Sequence, residues 1–276
     1  MTRLLSEAEV RRYHETGYLA PIPVMPPEEA IGLRRRLEAF ERREGGPLKG
    51  AHRHKAHLLF PWLAELVRHP RILDAVEDVL GGDILVWTTN FFTKEAMTED
   101  FVSWHQDSTY WGLSATDVAT AWIAFTPSTV ESGAMRVIPG SHKQDQLPHR
   151  DRHDPLNLLT RGQEVQVEVD EREAVDLLLQ PGEMSLHHIR IVHGSSPNRS
   201  ADRRIGFAIR YIPPSIRQIA GRDSASLVRG IDRYGHFEPE PTPRDECGPE
   251  TQAAHAAVIK RHTALLMAGS AKSELK

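Results

Sequence analysis

The feature that most constrains the fold is a series of short, strand-like segments in the middle of the chain. Between residues 83 and 213, six stretches are rich in β-branched and aromatic residues, and turn residues such as Pro139-Gly140 separate them. These stretches are residues 83–93, 119–125, 133–138, 164–169, 183–187 and 205–212. Short strands punctuated by turns are typical of β-sandwiches and β-barrels, and the uneven spacing leaves both architectures open.

Helical patterns flank this strand region on both sides. Ser6 and Glu9 form a capping-box pattern, which predicts a helix that ends near Thr16. Other predicted helices cover residues 30–43, 62–68, 71–80 and 250–267, and a short strand covers residues 17–20. We therefore expect one domain over residues 1–276. It has a helical scaffold to about residue 82, a β core over about 83–213, and a tail of loops and a helix over about 214–276.

Composition excludes several classes of function. The 34 Lys and Arg nearly balance the 38 Asp and Glu, for a net charge of −4, so nothing predicts binding to nucleic acid or to an anionic membrane. No stretch resembles a signal peptide or a membrane span, which predicts a cytoplasmic protein. The single cysteine, Cys247, excludes an internal disulfide and cysteine-based metal sites. Any metal should therefore be bound by carboxylates and by some of the 15 histidines.

The motif Trp104-His105-Gln106-Asp107 is the strongest candidate for a metal site. Positions i and i+2 of a strand point to the same face, so His105 and Asp107 could reach one ion together. The best candidate for a second histidine is His193, which follows an apolar stretch. Two histidines and one carboxylate form the ligand set of non-haem Fe(II) oxygenases. By itself the short motif favours a strand with an ordinary buried histidine, because a chance match is common in a chain with 15 histidines.

A basic residue at the start of an apolar strand strengthens the oxygenase interpretation. Arg204 begins the stretch Arg204-Ile205-Gly206-Phe207-Ala208-Ile209. An arginine inside a protein needs an anion, because an unpaired buried charge is very costly. A guanidinium matches a carboxylate with two parallel hydrogen bonds. An arginine of this kind beside a metal with open positions suits a 2-oxo acid cosubstrate.

The chain resembles the phytanoyl-CoA dioxygenase family of Fe(II)- and 2-oxoglutarate-dependent oxygenases. The resemblance extends over roughly residues 8–213, and three motifs carry it, at residues 104–107, 132–142 and 193–200, followed by Arg204. It implies a double-stranded β-helix, a jelly-roll barrel, packed on N-terminal helices. It also implies Fe(II), 2-oxoglutarate and O2 as cofactor and cosubstrates.

The resemblance assigns roles to individual residues. Fe(II) would be bound by His105, Asp107 and His193, and Arg204 would bind the distal carboxylate of 2-oxoglutarate. The family pattern also implies cosubstrate contacts by Ser195, Trp122 and Asn90.

The retained carboxylate at position 107 favours hydroxylation over chlorination. Halogenases of this superfamily have Ala or Gly at that place, where chloride binds the metal. We therefore expect a hydroxylase that acts on a small metabolite, polar or zwitterionic, and converts 2-oxoglutarate to succinate. The same hydrogen abstraction could instead lead to epimerisation, cyclisation or desaturation. A non-catalytic metal-binding barrel is a further alternative, and the sequence leaves the oligomeric state open.

Several residues are candidates for substrate contacts, each with a simpler alternative. Tyr110 and Trp111 follow the ligand pair and either line a pocket or pack in the core. Strand alternation from Arg204 turns Arg210 toward the pocket, unless it lies at an edge beside a surface carboxylate. His142 is a further candidate, which could instead stabilise a turn. The last is His188, which we prefer over His187 as the inward-facing ring. His188 could instead be a core histidine. The basic stretch 49–57 is either a lid over the site or a solvated loop.

Overall fold

The computed structural model describes residues 3–152 and 154–268. Its α-helices are α1 (Glu7–Thr16), α2 (Pro27–Glu44), α3 (Pro61–Leu66), α4 (Pro70–Leu80) and α5 (Pro249–Leu266). The predicted capping box of α1 is confirmed, since Ser6 Oγ accepts a hydrogen bond from Glu9 and the Glu9 carboxylate accepts one from Ser6 N–H. Each of the other helices begins with a proline, which needs no intrahelical partner there. Among the described residues, no helix is both long and apolar enough to cross a membrane.

The strands form two larger sheets and a small one. The strands are β1 (Tyr18–Pro23), β2 (Ile84–Lys94), β3 (Val102–His105), β4 (Ala119–Ala124), β5 (Met135–Val137), β6 (His149–Asp151), β7 (Gln163–Val165), β8 (Val175–Leu177), β9 (Glu183–His188), β10 (His193–Ser195), β11 (Arg204–Ile212), β12 (Ser224–Arg229) and β13 (Glu238–Pro239). The major sheet has the order β1-β9-β4-β11-β2-β12-β13, and the minor sheet has the order β3-β10-β5-β8. A two-stranded sheet joins β6 and β7. The architecture is therefore mixed α and β and consists mostly of sheet.

The two faces of the major sheet have different neighbours. On one face, Phe207 and Tyr211 of β11 belong to the same apolar core as Leu63 of α3 and Ile72 of α4. On the other face, Trp122, Ala124 and Ala208 pack against residues of the minor sheet such as Val137. Alternation along β11 therefore sends Arg204, Gly206, Ala208 and Arg210 into the space between the two sheets.

The structure corrects the predicted elements in three places. Asp107 does not lie in a strand, because β3 ends at His105 and a short 3-10 turn, Asp107–Thr109, follows it. The strands β6, β8 and β10 were missed, because three residues are too few to show an alternating pattern. The tail was predicted to hold only loops and a helix. It also contains β12, which extends the major sheet by pairing with β2.

Candidate metal and cosubstrate site

The fold brings the three predicted metal ligands together between the two sheets. His105 is the last residue of β3 and His193 the first of β10, and these two residues are paired across the minor sheet. Asp107 follows in the 3-10 turn. One ligand atom of each side chain lies within 4.8 Å of the others, and all three residues are buried.

Backbone carbonyls orient both histidine rings. Because a carbonyl oxygen only accepts, His105 Nδ1 donates to Ser103 O at 2.9 Å and His193 Nδ1 donates to Ile191 O at 3.0 Å. Each Nε2 therefore carries the lone pair that a metal requires. Asp107 Oδ1 lies 3.3 Å from His105 Nε2, and Asp107 Oδ2 accepts no hydrogen bond from the described part of the chain. This donor set fits a divalent ion such as Fe(II) with open coordination positions.

The protonation states of the ligands suit metal binding. Burial alone would raise the pKa of Asp107, but the adjacent His105 ring and the charge of Arg210 outweigh it and hold the pKa well below its usual range. Burial, helped by the neighbouring His105, lowers the pKa of His193 to about 4. At neutral pH the site therefore presents an ionised carboxylate and a neutral His193, so neither has to lose a proton to a metal.

An inner cavity of about 30 Å³ adjoins the metal ligands and is lined by Trp122, Ser195 and Arg204. Arg204 is 2% exposed, and no described carboxylate lies within ion-pair distance of it. Its Nη1 donates to Gly133 O, and its guanidinium carbon lies 5.3 Å from the centre of a Trp122 ring. Burial lowers the pKa of Arg204 only to about 10, so the group stays charged at neutral pH. A buried, uncompensated cation makes this cavity a site for an anion.

Lys94 is a buried basic residue of this region that the sequence did not predict as part of the site. It pairs with Arg204 across β2 and β11, and its Nζ donates to Ser195 Oγ at 2.7 Å and to Ser196 O. Burial and the adjacent Arg204 lower the pKa of Lys94 to about 6. A lysine at the end of a strand normally reaches solvent, so the sequence carried no signal that this one is enclosed. Ser195, which lines the inner cavity, is thus held by Lys94.

An outer cavity of about 80 Å³ is lined by Asp107 together with Asn90, Tyr110, Trp111 and Arg210. Asn90 lines this cavity and not the inner one, so its implied contact with the cosubstrate stays a prediction. Its Oδ1 accepts a hydrogen bond from Arg210 Nη1 at 2.6 Å.

Arg210 lines both cavities, as the pocket alternative predicts. Its Nη2 lies 4.0 Å from Asp107 Oδ2, so its nearest carboxylate is a candidate metal ligand and not a surface acid. The guanidinium lies against two aromatic rings. Its carbon is 5.6 Å from the ring centre of Phe92 and 5.4 Å from that of Trp111. Tyr110 stacks with Arg161, whose guanidinium carbon is 3.5 Å from its ring centre.

Two predicted substrate contacts lie outside both cavities. The ring of His142 contacts that of His188 at 5.2 Å between centres, and His142 Nε2 bonds to His14 O at 3.1 Å. The preference for His188 as the inward-facing ring is wrong. His187 is buried, lines the inner cavity and lies 5.2 Å from the His193 ring. The pairing of β9 with β4 decides this alternation, and the local sequence shows no sign of that register.

Part of the basic stretch 49–57 is a buried element, contrary to the solvated-loop interpretation. Lys55 and His57 are fully enclosed, and both contact the buried carboxylate of Glu240 from the tail. Arg53 and His54 line the outer cavity. A charged residue is rarely enclosed unless it is paired, and its partner here is about 185 residues away in the chain.

Comparisons with known proteins agree with this geometry. The family model described as phytanoyl-CoA dioxygenase (PhyH) matches residues 13–206. An L-proline trans-4-hydroxylase of Streptomyces griseoviridis is 32% identical over 232 residues, which cover 75% of this chain and 86% of that protein.

Solved structures give the same result. The apo form of a non-heme monooxygenase, ThoJ, is 35% identical with a TM-score of 0.83, and the match covers 93% of this chain and 96% of that one. CytC3 with Fe(II) and alpha-ketoglutarate is 25% identical with a TM-score of 0.66, over 88% of this chain and 96% of that one.

Proposed function

The chain belongs to the phytanoyl-CoA dioxygenase family, and on that premise we propose that it is an Fe(II)- and 2-oxoglutarate-dependent hydroxylase of a small polar metabolite. The observation that carries this proposal is the contact of two features. A buried set of two histidines and one carboxylate adjoins a cavity that holds an uncompensated arginine. The similar proline hydroxylase supports an oxygen-inserting outcome.

Each residue of the site has a place in this chemistry. His105, Asp107 and His193 would hold Fe(II), and Arg204, stacked near Trp122, would bind the distal carboxylate of 2-oxoglutarate. Iron held by these residues would supply, with 2-oxoglutarate and O2, the oxidising chemistry for removal of a hydrogen atom from the substrate. In the balanced reaction, a substrate C–H, 2-oxoglutarate and O2 give the hydroxylated product, succinate and CO2. The protein orients the reactants and excludes water from the enclosed space between the sheets.

The finer predictions about fold and compartment belong to the same proposal. Two facing sheets with helices on one outer face support the double-stranded β-helix of the family. The tail pairs with β2 through β12, which supports one domain over the whole chain. We keep the predictions of a cytoplasmic protein with a small-molecule substrate.

Succinate and CO2 release from 2-oxoglutarate tests the function. The protein is supplied with Fe(II) and a panel of small metabolites, and 18O2 labelling follows the oxygen atoms. Hydroxylation places one oxygen atom in the product and one in succinate, whereas cyclisation, epimerisation or desaturation leaves the product without label. Release no higher than that of chelator-treated protein, across the whole panel, would overturn the proposal.

The variant Asp107→Ala tests the metal ligand itself. We expect Fe(II)-dependent turnover to fall by more than about 100-fold, because loss of a ligand costs more than loss of a supporting contact. Isothermal titration calorimetry should show that Mn(II) binds more weakly to this variant than to the wild type. Asp117→Ala is the control, because Asp117 is exposed and lies in the loop before β4. Equal behaviour of the two variants would contradict the assignment of Asp107.

A further inference from the structure

The outer cavity carries an excess of positive charge. Among the described residues that line it, Asp107 is the only acid, and there are three arginines, Arg53, Arg161 and Arg210. Arg161 is neutralised, since its Nη2 lies 2.9 Å from the carboxylate of Asp151. No carboxylate of the described residues contacts the other two in this way, apart from the 4.0 Å approach of Arg210 to Asp107. A metal bound at Asp107 would share that carboxylate with Arg210, so the carboxylate would compensate Arg210 only in part.

Arg53 contributes a second cation, and the nearby charge of Asp100 compensates it only in part. Its Nη2 donates to Phe91 O at 3.0 Å, and no described carboxylate lies within ion-pair distance of it. Burial lowers the pKa of Arg53, yet a guanidinium keeps its proton at neutral pH. Two guanidinium groups facing one enclosed space are stabilised by a bound carboxylate, which accepts hydrogen bonds from both.

The tail supplies a hydrogen-bond acceptor to the same cavity. His262, on α5, lines the outer cavity and is 1% exposed. Its Nδ1 lies 3.0 Å from the Asp223 carboxylate, which also accepts a hydrogen bond from Trp87 Nε1 at 2.7 Å. Burial lowers the pKa of His262, although Asp223 opposes this, so the ring is neutral at pH 7. With its proton on Nδ1, the ring presents a bare Nε2, and this atom has no partner in the described part of the chain.

The remaining walls suit a compact apolar body. Trp87 and Trp111 lie 5.0 Å apart between ring centres, and Phe92 lines the same cavity. The Oε1 atom of Gln163, another buried acceptor of the lining, also has no partner among the described residues. The cavity therefore offers cations for an anion and acceptors for an N–H or O–H group.

We propose that the outer cavity binds a small carboxylate that also carries a hydrogen-bond donor, as an amino acid or a hydroxy acid does. Arg53 and Arg210 bind its carboxylate, and Nε2 of His262 accepts from its ammonium or hydroxyl group. This inference rests on the proposed function, because it names the substrate class of the same site. His262 lies outside residues 13–206, so this contact comes from a part of the chain that the family model does not match.

Spectroscopy of the anaerobic enzyme tests the inference without turnover. The protein, Fe(II) and saturating 2-oxoglutarate should form a visible charge-transfer band, and binding of a substrate next to the iron should change it. The probes are L-amino acids and 2-hydroxy acids, each compared with its methyl ester and with the acid that lacks the amino or hydroxyl group. We expect at least one acid to bind at least about tenfold more tightly than its methyl ester and its donor-free analogue. The ester lacks the charge-assisted contact, and the donor-free acid lacks the donor contact.

The outcomes separate the two proposals. If no charge-transfer band forms, the proposed function fails. If the band forms but acids and esters bind equally, or no acid that carries a donor changes the band, the substrate class is wrong and the proposed function stands. If acids bind more tightly than their esters but no more tightly than the donor-free acids, the role of His262 is wrong.

Two histidines of α5 provide a matched pair of variants. His262→Phe keeps a ring but removes the acceptor, and His255→Phe makes the same change at another buried histidine, one that lines neither cavity. In the first variant, the preference for a donor-bearing acid over its donor-free partner should fall about tenfold. In the second, the preference should be retained. Because the readout is a ratio of two affinities, general damage to the fold does not reproduce this result, and equal ratios in both variants would overturn the inference.

Discussion

At the scale of single residues, identical side chains have different roles because their surroundings differ. Arg203 and Arg204 are neighbours at the start of β11, yet they point in opposite directions. Arg203 forms ion pairs with Glu41 and Glu95, whereas Arg204 enters the space between the sheets without a carboxylate. The first is a structural cation, and the second is available to a ligand.

This contrast makes a direct prediction for the cosubstrate. In Arg204→Met, we expect the KM for 2-oxoglutarate to rise by about tenfold or more, because a hydrogen bond to a charged group contributes about 1.5–3 kcal/mol. Steady-state succinate assays measure this change. Arg203→Met is the control and should leave the KM for 2-oxoglutarate within about twofold of the wild type. A similar KM in both variants would contradict the role of Arg204.

At the scale of elements, β11 joins the core to the site. One face packs on the helices and the other lines both cavities, so one strand aligns Arg204 with Arg210. The close approach of Trp122 depends on Gly206. A Cβ at that position would lie 1.8 Å from Trp122 Cζ2, a distance that no pair of non-bonded carbon atoms tolerates. The glycine therefore makes room for the aromatic wall of the inner cavity.

Substitution of this glycine should damage both stability and binding. For Gly206→Ala we expect the free energy of unfolding to fall by about 1–3 kcal/mol, because the added methyl group displaces a packed ring. Urea denaturation measures this loss, and 2-oxoglutarate should bind more weakly. Gly32→Ala is the control, since its Cβ would meet nothing within 4 Å on α2. It should instead raise stability by about 0.5–1 kcal/mol. An unaltered stability of Gly206→Ala would show that Trp122 moves aside without cost.

At the scale of the whole molecule, a buried ionic network attaches the tail to the core. Lys55 Nζ donates to Trp87 O at 2.6 Å and to Ser224 O at 2.9 Å, and it also contacts Glu240. His57 and Ser226 contact the same carboxylate. The network links the stretch before α3, the strand β2 and the tail. Removal of one partner would leave an uncompensated buried charge, which is costly, so the tail is an integral part of the fold.

Buried neutral histidines should make stability depend on pH. Burial is the main cause that lowers the pKa of both His193 and His255 to about 4. The unfolded chain takes up protons at these histidines below pH 6.5 or so, and the folded chain does not until about pH 4. The free energy of unfolding of metal-free protein should therefore fall between pH 7 and pH 5, by about 1–2 kcal/mol for each histidine.

Urea denaturation at several pH values, with a chelator present, measures this dependence. His255→Asn should reduce the slope, while His236→Asn should not, because His236 is exposed. Equal stability at pH 7 and pH 5 would contradict the prediction.

The sequence by itself determined the class of chemistry and the order of the main elements. Ligand types, their spacing and the apolar strand after Arg204 are local properties, as are the capping box of α1 and the turn residues between the longer strands. Each depends on residues close together in the chain, so each could be predicted from it. The predicted metal ligands His105 and Asp107 belong to this group, whereas His193 comes from a distant segment and was assigned through the family motifs. The three side chains do lie together.

Only the tertiary structure decided which side chains share a space. The inward direction of His187, the separation of Asn90 from the inner cavity and the enclosure of Lys94 depend on strand registers between distant segments. The Asp223–His262 pair and the Lys55–Glu240 ion pair bring together residues from different parts of the chain. Burial and charge compensation arise from packing between such segments, and no local pattern of residues records which distant partner will arrive.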